Sequence, residues 1–177
     1  MSWIPAPSPS VSIPTAVLTE TKAQGVASAV IFNSTIGYLR PRQFNVPVNN
    51  GLLITLQGTP NWTFTIPSAG TYLFDAVAFY TYPASNGAVL VSKLFLNNQT
   101  ATVPQAIVGM SAYMASGGGY GGNANGTNNA CFLNGILTLT GTTVFSLDHQ
   151  VGGISTGGNA AGYAIEIYAT IKIIKLA

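Results

Sequence analysis

The sequence predicts an all-β protein, an antiparallel sandwich, on three observations. Apolar and polar residues alternate with a period of two in several segments, turn clusters of Pro, Gly and Asn recur between those segments, and no stretch reads as a helix. Eight or more strands within 177 residues favour jelly-roll topology.

The arrangement is organised around residues 61–82, NWTFTIPSAGTYLFDAVAFYTY. Trp62, Phe64 and Ile66 alternate with Thr63 and Thr65, and Pro67-Ser68-Ala69-Gly70 supplies a turn. A longer strand then carries Tyr72, Phe74, Ala76, Ala78 and Tyr80 on one face. Aromatic and β-branched residues suit a pleated surface packed on at least one side.

The chain divides into an extended arm, 1–20, and a single sandwich domain, 21–177. The arm has Pro at positions 5, 7, 9 and 14, which favours extended backbone and forbids helix. Its apolar residues Trp3, Ile4, Val11, Ile13, Val17 and Leu18 are too many for a solvating tail, and suit an anchor on a neighbouring subunit or a larger assembly.

Strands follow at 27–32, at 36–44 with an edge or bulge at Pro41, and at 52–57 after an Asn49-Asn50-Gly51 turn. After the central unit, Pro83-Ala84-Ser85-Asn86-Gly87 leads into 88–96, and Asn97-Asn98 turns the chain towards 101–110. Residues 116–129, SGGGYGGNANGTNN, form a Gly/Asn-rich loop without the Gly-Lys-Ser/Thr ending of a phosphate-binding loop. Strands at 132–140 and 143–150, a second glycine-rich loop at 152–162 and a final strand at 164–176 complete the chain. That last strand alternates Ile165, Ile167, Ala169, Ile171 and Ile173 inward with Glu166, Tyr168, Thr170 and Lys172 outward.

Composition narrows the function. Charged residues make up 6% of the chain against about 25% in ordinary soluble domains, so much of the surface is expected to be covered by other subunits. Phe79, Tyr80, Tyr82 and Phe95 are candidates for that interface. The net charge of +2 comes from scattered basic residues, which excludes the concentrated footprint of a nucleic-acid binder. No apolar run approaches the roughly 20 residues of a membrane span, and no signal-peptide pattern opens the sequence.

The inventory for catalysis is short: Glu20, Asp75, Asp148, His149, Glu166 and the lone Cys131. Asp148 and His149 are neighbours in a strand, so their side chains point to opposite faces and cannot work as an acid–base pair. One histidine and one cysteine cannot supply a multi-ligand metal site within a subunit. No enzyme activity, metal or cofactor is expected, and His149 reads as a satisfied structural residue, Asp75 as buried and hydrogen-bonded or facing solvent. The Asn-X-Ser/Thr sequons at Asn33, Asn61, Asn98 and Asn125 read as chance in an Asn- and Thr-rich chain.

The pattern Phe64-X-Ile66-Pro67-X-X-Gly70-X-Tyr72-X-Phe74 resembles the central signature of the complement C1q and tumour-necrosis-factor jelly-roll superfamily, whose members are compact trimers. Over residues 20–176 the chain is also similar to small trimeric jelly-roll domains of bacteriophage structural proteins. The residues that carry this are Glu20-Thr21-Lys22-Ala23-Gln24-Gly25, Arg42-X-X-Asn45, Phe145-X-Leu147-X-His149 and Glu166-Ile167-Tyr168-Ala169.

The resemblance implies a homotrimeric virion protein that decorates or cements the capsid; the arm lies outside the resemblance, and its own apolar residues Trp3, Ile4, Ile13, Val17 and Leu18 are the expected anchor on the major capsid protein or another virion protein. The alternative is the receptor-binding head of a tail or head fibre, in which Tyr113, Tyr120, Asn123, Asn125, Asn128 and Asn129 form the surface that meets a host glycan or protein. A cellular C1q-like binding protein is a third, weaker class.

Overall fold

The computed structural model describes residues 12–23, 39–59, 61–81, 89–115, 128–152 and 165–177. These hold twelve strands: β1 Thr15–Ala23, β2 Leu39–Pro41, β3 Val46–Asn50, β4 Thr55–Gln57, β5 Thr63–Ile66, β6 Gly70–Thr81, β7 Val89–Asn98, β8 Gln105–Val108, β9 Ala112–Ala115, β10 Asn128–Leu139, β11 Thr143–Gly152 and β12 Ile165–Lys175. Two antiparallel sheets form, the first in the order β10-β6-β12-β1-β3 and the second in the order β4-β5-β11-β7-β8, with β2 also on β11 and β9 also on β7. The predicted all-β sandwich is the observed fold. The expected strand at 27–32, the turn at 83–87, and all but residues 128–129 and 152 of the loops expected at 116–129 and 152–162 lie outside the described residues.

Period-two alternation explains most of the core. On β6, Tyr72, Phe74, Ala76 and Ala78 are buried while Asp75 faces solvent, one of the two placements the sequence allowed. Across the gap, Phe64 from β5 stacks on Phe145 from β11 at 5.9 Å between ring centroids, and Phe74 meets the same ring at 5.5 Å. Phe44 closes the group edge-on to Phe64 at 6.1 Å. Each such side chain contributes about 1.5–3 kcal/mol by leaving water.

The turn before β6 depends on Gly70, with φ of 148°. A Cβ there would sit 2.5 Å from the Ala177 carbonyl oxygen, which accepts the Thr71 amide at 2.8 Å. The chain's last residues are thereby stitched beside the start of the central strand. Tyr72 anchors the same turn, its hydroxyl donating to the Ser68 carbonyl at 2.9 Å.

Several boundaries differ from the sequence reading. β1 starts at Thr15 and places Ala16, Leu18 and Glu20 in the interior, so the sandwich takes in residues assigned to the arm. Proline spacing suggested one extended segment through residue 20, but no proline lies between Pro14 and residue 20, and alternation resumes there. Residues 46–50 form β3, paired with β1, and the bend falls at Gly51 with φ of 77°. Asn49 closes that bend through both side-chain atoms, donating to the Ile54 carbonyl at 3.1 Å and accepting the Ile54 amide at 3.4 Å. The expected Asn97-Asn98 turn comes at Gln99–Thr100, where Asn98 Oδ1 accepts the Thr100 amide at 2.9 Å. Trp62 precedes β5 and is exposed instead of sharing the inner face with Phe64.

The last strand departs most instructively. The β1–β12 register runs Glu20 to Ala169 and then Thr21 to Ile167, skipping Tyr168 as a bulge. The extra residue reverses the alternation, so Tyr168 and Ala169 are both buried and Ile167 is exposed, against the expected pattern.

Candidate functional site

At one end of the sandwich the interior is polar. Glu20 of β1, Arg42 just after β2, Ser92 of β7, Cys131 of β10, His149 of β11 and Tyr168 of β12 are all buried there, six side chains from both sheets. Their inward placement follows from phase: Ser92 lies two residues before Leu94, Cys131 two before Leu133, and His149 two after Leu147. Tyr168 is brought in by the bulge.

The ion pair between Arg42 Nε and Glu20 Oε2, at 2.8 Å, anchors the cluster, and Glu20 Oε2 also accepts the Gln43 amide at 3.3 Å. Arg42 Nη1 approaches His149 Nδ1 to 3.5 Å. A guanidinium only donates, so Nδ1 must accept and the ring proton belongs on Nε2. Nε2 then donates to Ser92 Oγ at 2.5 Å. Ser92 Oγ donates its own hydrogen bond to Cys131 Sγ at 3.3 Å, and the thiol in turn donates to the Ala78 carbonyl oxygen at 3.6 Å. Donors and acceptors run one way from Arg42 to β6.

That direction decides the chemistry. A histidine activating a serine must accept the hydroxyl proton at the contacting nitrogen and be oriented by an anion at the other. His149 has the opposite polarity, a cation at Nδ1 and a donated proton at Nε2, in a site closed to solvent. Burial, then Arg42, holds its basicity well below the usual histidine value. Burial likewise pushes the Cys131 thiol up, against the hydrogen bond from Ser92 and the field of Arg42. Burial lowers the Arg42 pKa, opposed by Glu20. The cluster therefore ties the two sheets together and holds no activated nucleophile.

Asp148 points to the other face, where Asn97 donates to it, and burial raises its carboxyl above the usual range. The predicted opposition of Asp148 and His149 is what the strand produces. Among the described residues, no three of His, Cys, Asp and Glu gather where they could hold a metal ion. An open depression of about 450 Å³ beside Thr21, Phe44, Asn45, Thr59 and Asn61 has its amides engaged internally: Asn45 bridges both backbone atoms of Thr21 at 2.8 Å, and Asn61 donates to the Phe44 carbonyl at 3.1 Å.

The second notable surface is the solvent face of the first sheet. Register places Ile136, Leu73 and Ile174 in one cross-strand row, and Phe132 and Val77 in another, flanking the directly opposed Asp75 and Lys172. Phe132, Ile136 and Ile167 are exposed, as are Val46 and Val48 on β3. At the β10 edge, Met110 adds a further exposed apolar side chain, its amide donating to the Phe132 carbonyl at 3.0 Å.

The candidates named from sequence fall differently. Trp3, Ile4, Tyr82, Tyr120, Asn123 and Asn125 lie outside the described residues. Ile13 is exposed, Val17 is half-buried, and Leu18 is fully enclosed in its own core, where it cannot serve as an anchor. Phe79 is half-buried on β6, beside Tyr80. Phe95 is only 7% exposed and lies under the Lys93 ammonium at 5.7 Å, so it offers little to a partner. Tyr113 is in β9, and Asn128 and Asn129 begin β10 opposite Thr81 and Tyr80, which makes all three strand residues instead of loop residues. The exposed row residues Phe132, Ile136 and Ile167 were missed as a surface. Strand alternation signals them only once the inward phase of β10 and the β12 bulge are known.

No family model matches the chain, and no curated protein matches it. Among solved structures it is similar to murine APRIL at pH 5.0, with TM-score 0.54 and 10% identity over 93% of this chain and 100% of that one. It is also similar to murine APRIL at pH 8.0, with TM-score 0.51 and 9% identity over the same shares. At that identity the likeness establishes the tumour-necrosis-factor-like jelly-roll fold, and the fold alone.

Proposed function

We propose that this chain is a non-enzymatic bacteriophage virion protein, a homotrimer on the outer surface of the capsid that decorates or cements the shell. The observation that carries self-association is the solvent face of the first sheet. Phe132, Ile136, Ile167, Val46 and Val48 lie open to water on one sheet face of a chain with only 6% charged residues, and exposed apolar side chains gathered on one face suit a protein interface. A trimer accords with the jelly-roll fold. The virion assignment is supported by the sequence motifs shared with phage jelly-roll domains, and the segment before Ile13 is left to contact the shell.

Binding to undecorated capsids of the parent phage, with and without residues 1–11, tests the assignment. A cut at residue 20 would remove Ala16, Leu18 and Glu20 from the interior and confuse anchoring with folding. Saturable binding lost on truncation supports a cement protein. Adhesion of both forms to host cells, with no binding to shells, would replace this reading by the receptor-binding head.

A further inference from the structure

His149 is the single histidine of the chain and is wholly buried. Among the described residues, the elements packed around it present defined groups. Arg42, after β2, faces Nδ1 at 3.5 Å, while Ser92 of β7 and Cys131 of β10 lie 2.5 Å and 3.4 Å from Nε2. Glu20 of β1 is engaged by Arg42 and the Gln43 amide, and Tyr168 of β12 lies within the field of Arg42. β6 contributes the Ala78 carbonyl to Cys131, and Asp148 points to the opposite face.

A second ring proton would go on Nδ1, the atom that faces a guanidinium. It would turn an acceptor into a donor opposite a donor, and place two cations side by side away from water. The least costly relief is to move Arg42. It sits on a sheet margin whose β2–β11 pairing spans three residues, and its own stretch is held by the Arg42 amide on the Leu147 carbonyl at 2.8 Å and the Gln43 amide on Glu20 Oε2 at 3.3 Å, while beyond it Phe44 is fixed in the core and Asn45 is clamped on Thr21. Withdrawal takes the guanidinium to solvent and leaves Glu20 as counter-ion for the imidazolium.

We propose that His149 and Arg42 form an acid-operated latch: protonation of His149 expels Arg42 and releases Arg42 and Gln43 from the margin of the sandwich, with Phe44 staying in the core. The sign follows from proton linkage. The opened state takes up a proton at the ordinary histidine value and the closed state does not, so opening is favoured as pH falls below about 6.5 by about tenfold per pH unit. Few other groups compete in that window, since the chain has four carboxylates and one histidine.

Amide hydrogen exchange between about pH 7.5 and 5 reads the latch. The protection factors of the Arg42 and Gln43 amides are expected to fall about tenfold per pH unit below about 6.5, while those of Asn45, on the far side of Phe44, and of Phe74 and Leu133 in the β6–β10 ladder stay constant. His149→Gln, which carries no charge at either pH, is expected to abolish the dependence. The single histidine also gives one unambiguous ring resonance in the wild-type protein, so the test survives if the variant fails to fold. That resonance should keep its neutral position until protection at Arg42 and Gln43 is lost. Ring titration near the ordinary value with those amides still protected would overturn the latch, as would the same pH dependence in His149→Gln.

Discussion

The two ends of the sandwich interior are filled by opposite means. At one, Phe44, Phe64, Phe74 and Phe145 pack ring against ring; at the other, Glu20, Arg42, Ser92, Cys131, His149 and Tyr168 pass hydrogen bonds and charge between the sheets. An apolar interior is held by area and shape, and tolerates change in proportion to the volume lost. A buried polar interior is held by completeness, and fails when one member is removed. The fold therefore has one end that is robust and one that is conditional.

The largest effects should separate these ends by their rescue and not by their size. Phe145→Ala and Arg42→Met should each destabilise by about 3–5 kcal/mol in urea unfolding, the first by a cavity and the second by stranding the Glu20 carboxylate. Adding Glu20→Leu to Arg42→Met should recover most of the loss, because the apolar pair no longer buries a lone charge. No single polar substitution should rescue Phe145→Ala. Failure of the double variant to recover would show that the ion pair is not the organising element of the polar end.

A smaller step concerns the middle of the relay. Ser92→Ala removes the acceptor of His149 and the donor to Cys131, and should cost about 1–3 kcal/mol at neutral pH. Smaller still is Asp148→Asn. Burial raises the Asp148 carboxyl, so the folded state holds its proton more tightly than the unfolded one, and stability falls as pH rises from about 3.9 through the folded value. The amide should remove that fall, stabilising slightly at pH 7 and changing nothing at pH 3, as read by thermal melts at the two pH values. This slope is opposite in sign to that of His149, which loses stability as pH falls, so the two neighbouring residues can be told apart by pH alone.

Much of this was legible in the chain. The inward face of β6 follows from the alternation of Tyr72, Phe74, Ala76 and Ala78, and β10 and β11 were readable as strands without their phase. The opposition of His149 to Asp148 was also readable from spacing. The polar cluster was not, because Glu20, Arg42, Ser92 and Tyr168 converge from four separate strands or strand ends, and no local pattern encodes convergence. Tyr168 was read outward because a bulge inserts one residue into the alternation, and nothing in AIEIYATIKIIKL marks where. β1 was read too late since the proline spacing ran into it, and β3 was hidden in a Pro- and Asn-containing stretch that is exposed along its whole length as an edge strand.

The outer face of the first sheet carries the central claim, and the mass of the native protein tests it most directly. Native mass spectrometry at neutral pH should give a single assembly of three times the 18.3 kDa chain, and Ile136→Asp with Phe132→Asp should reduce it to the monomer with the sandwich still folded. A folded wild-type monomer at micromolar concentration would contradict the account.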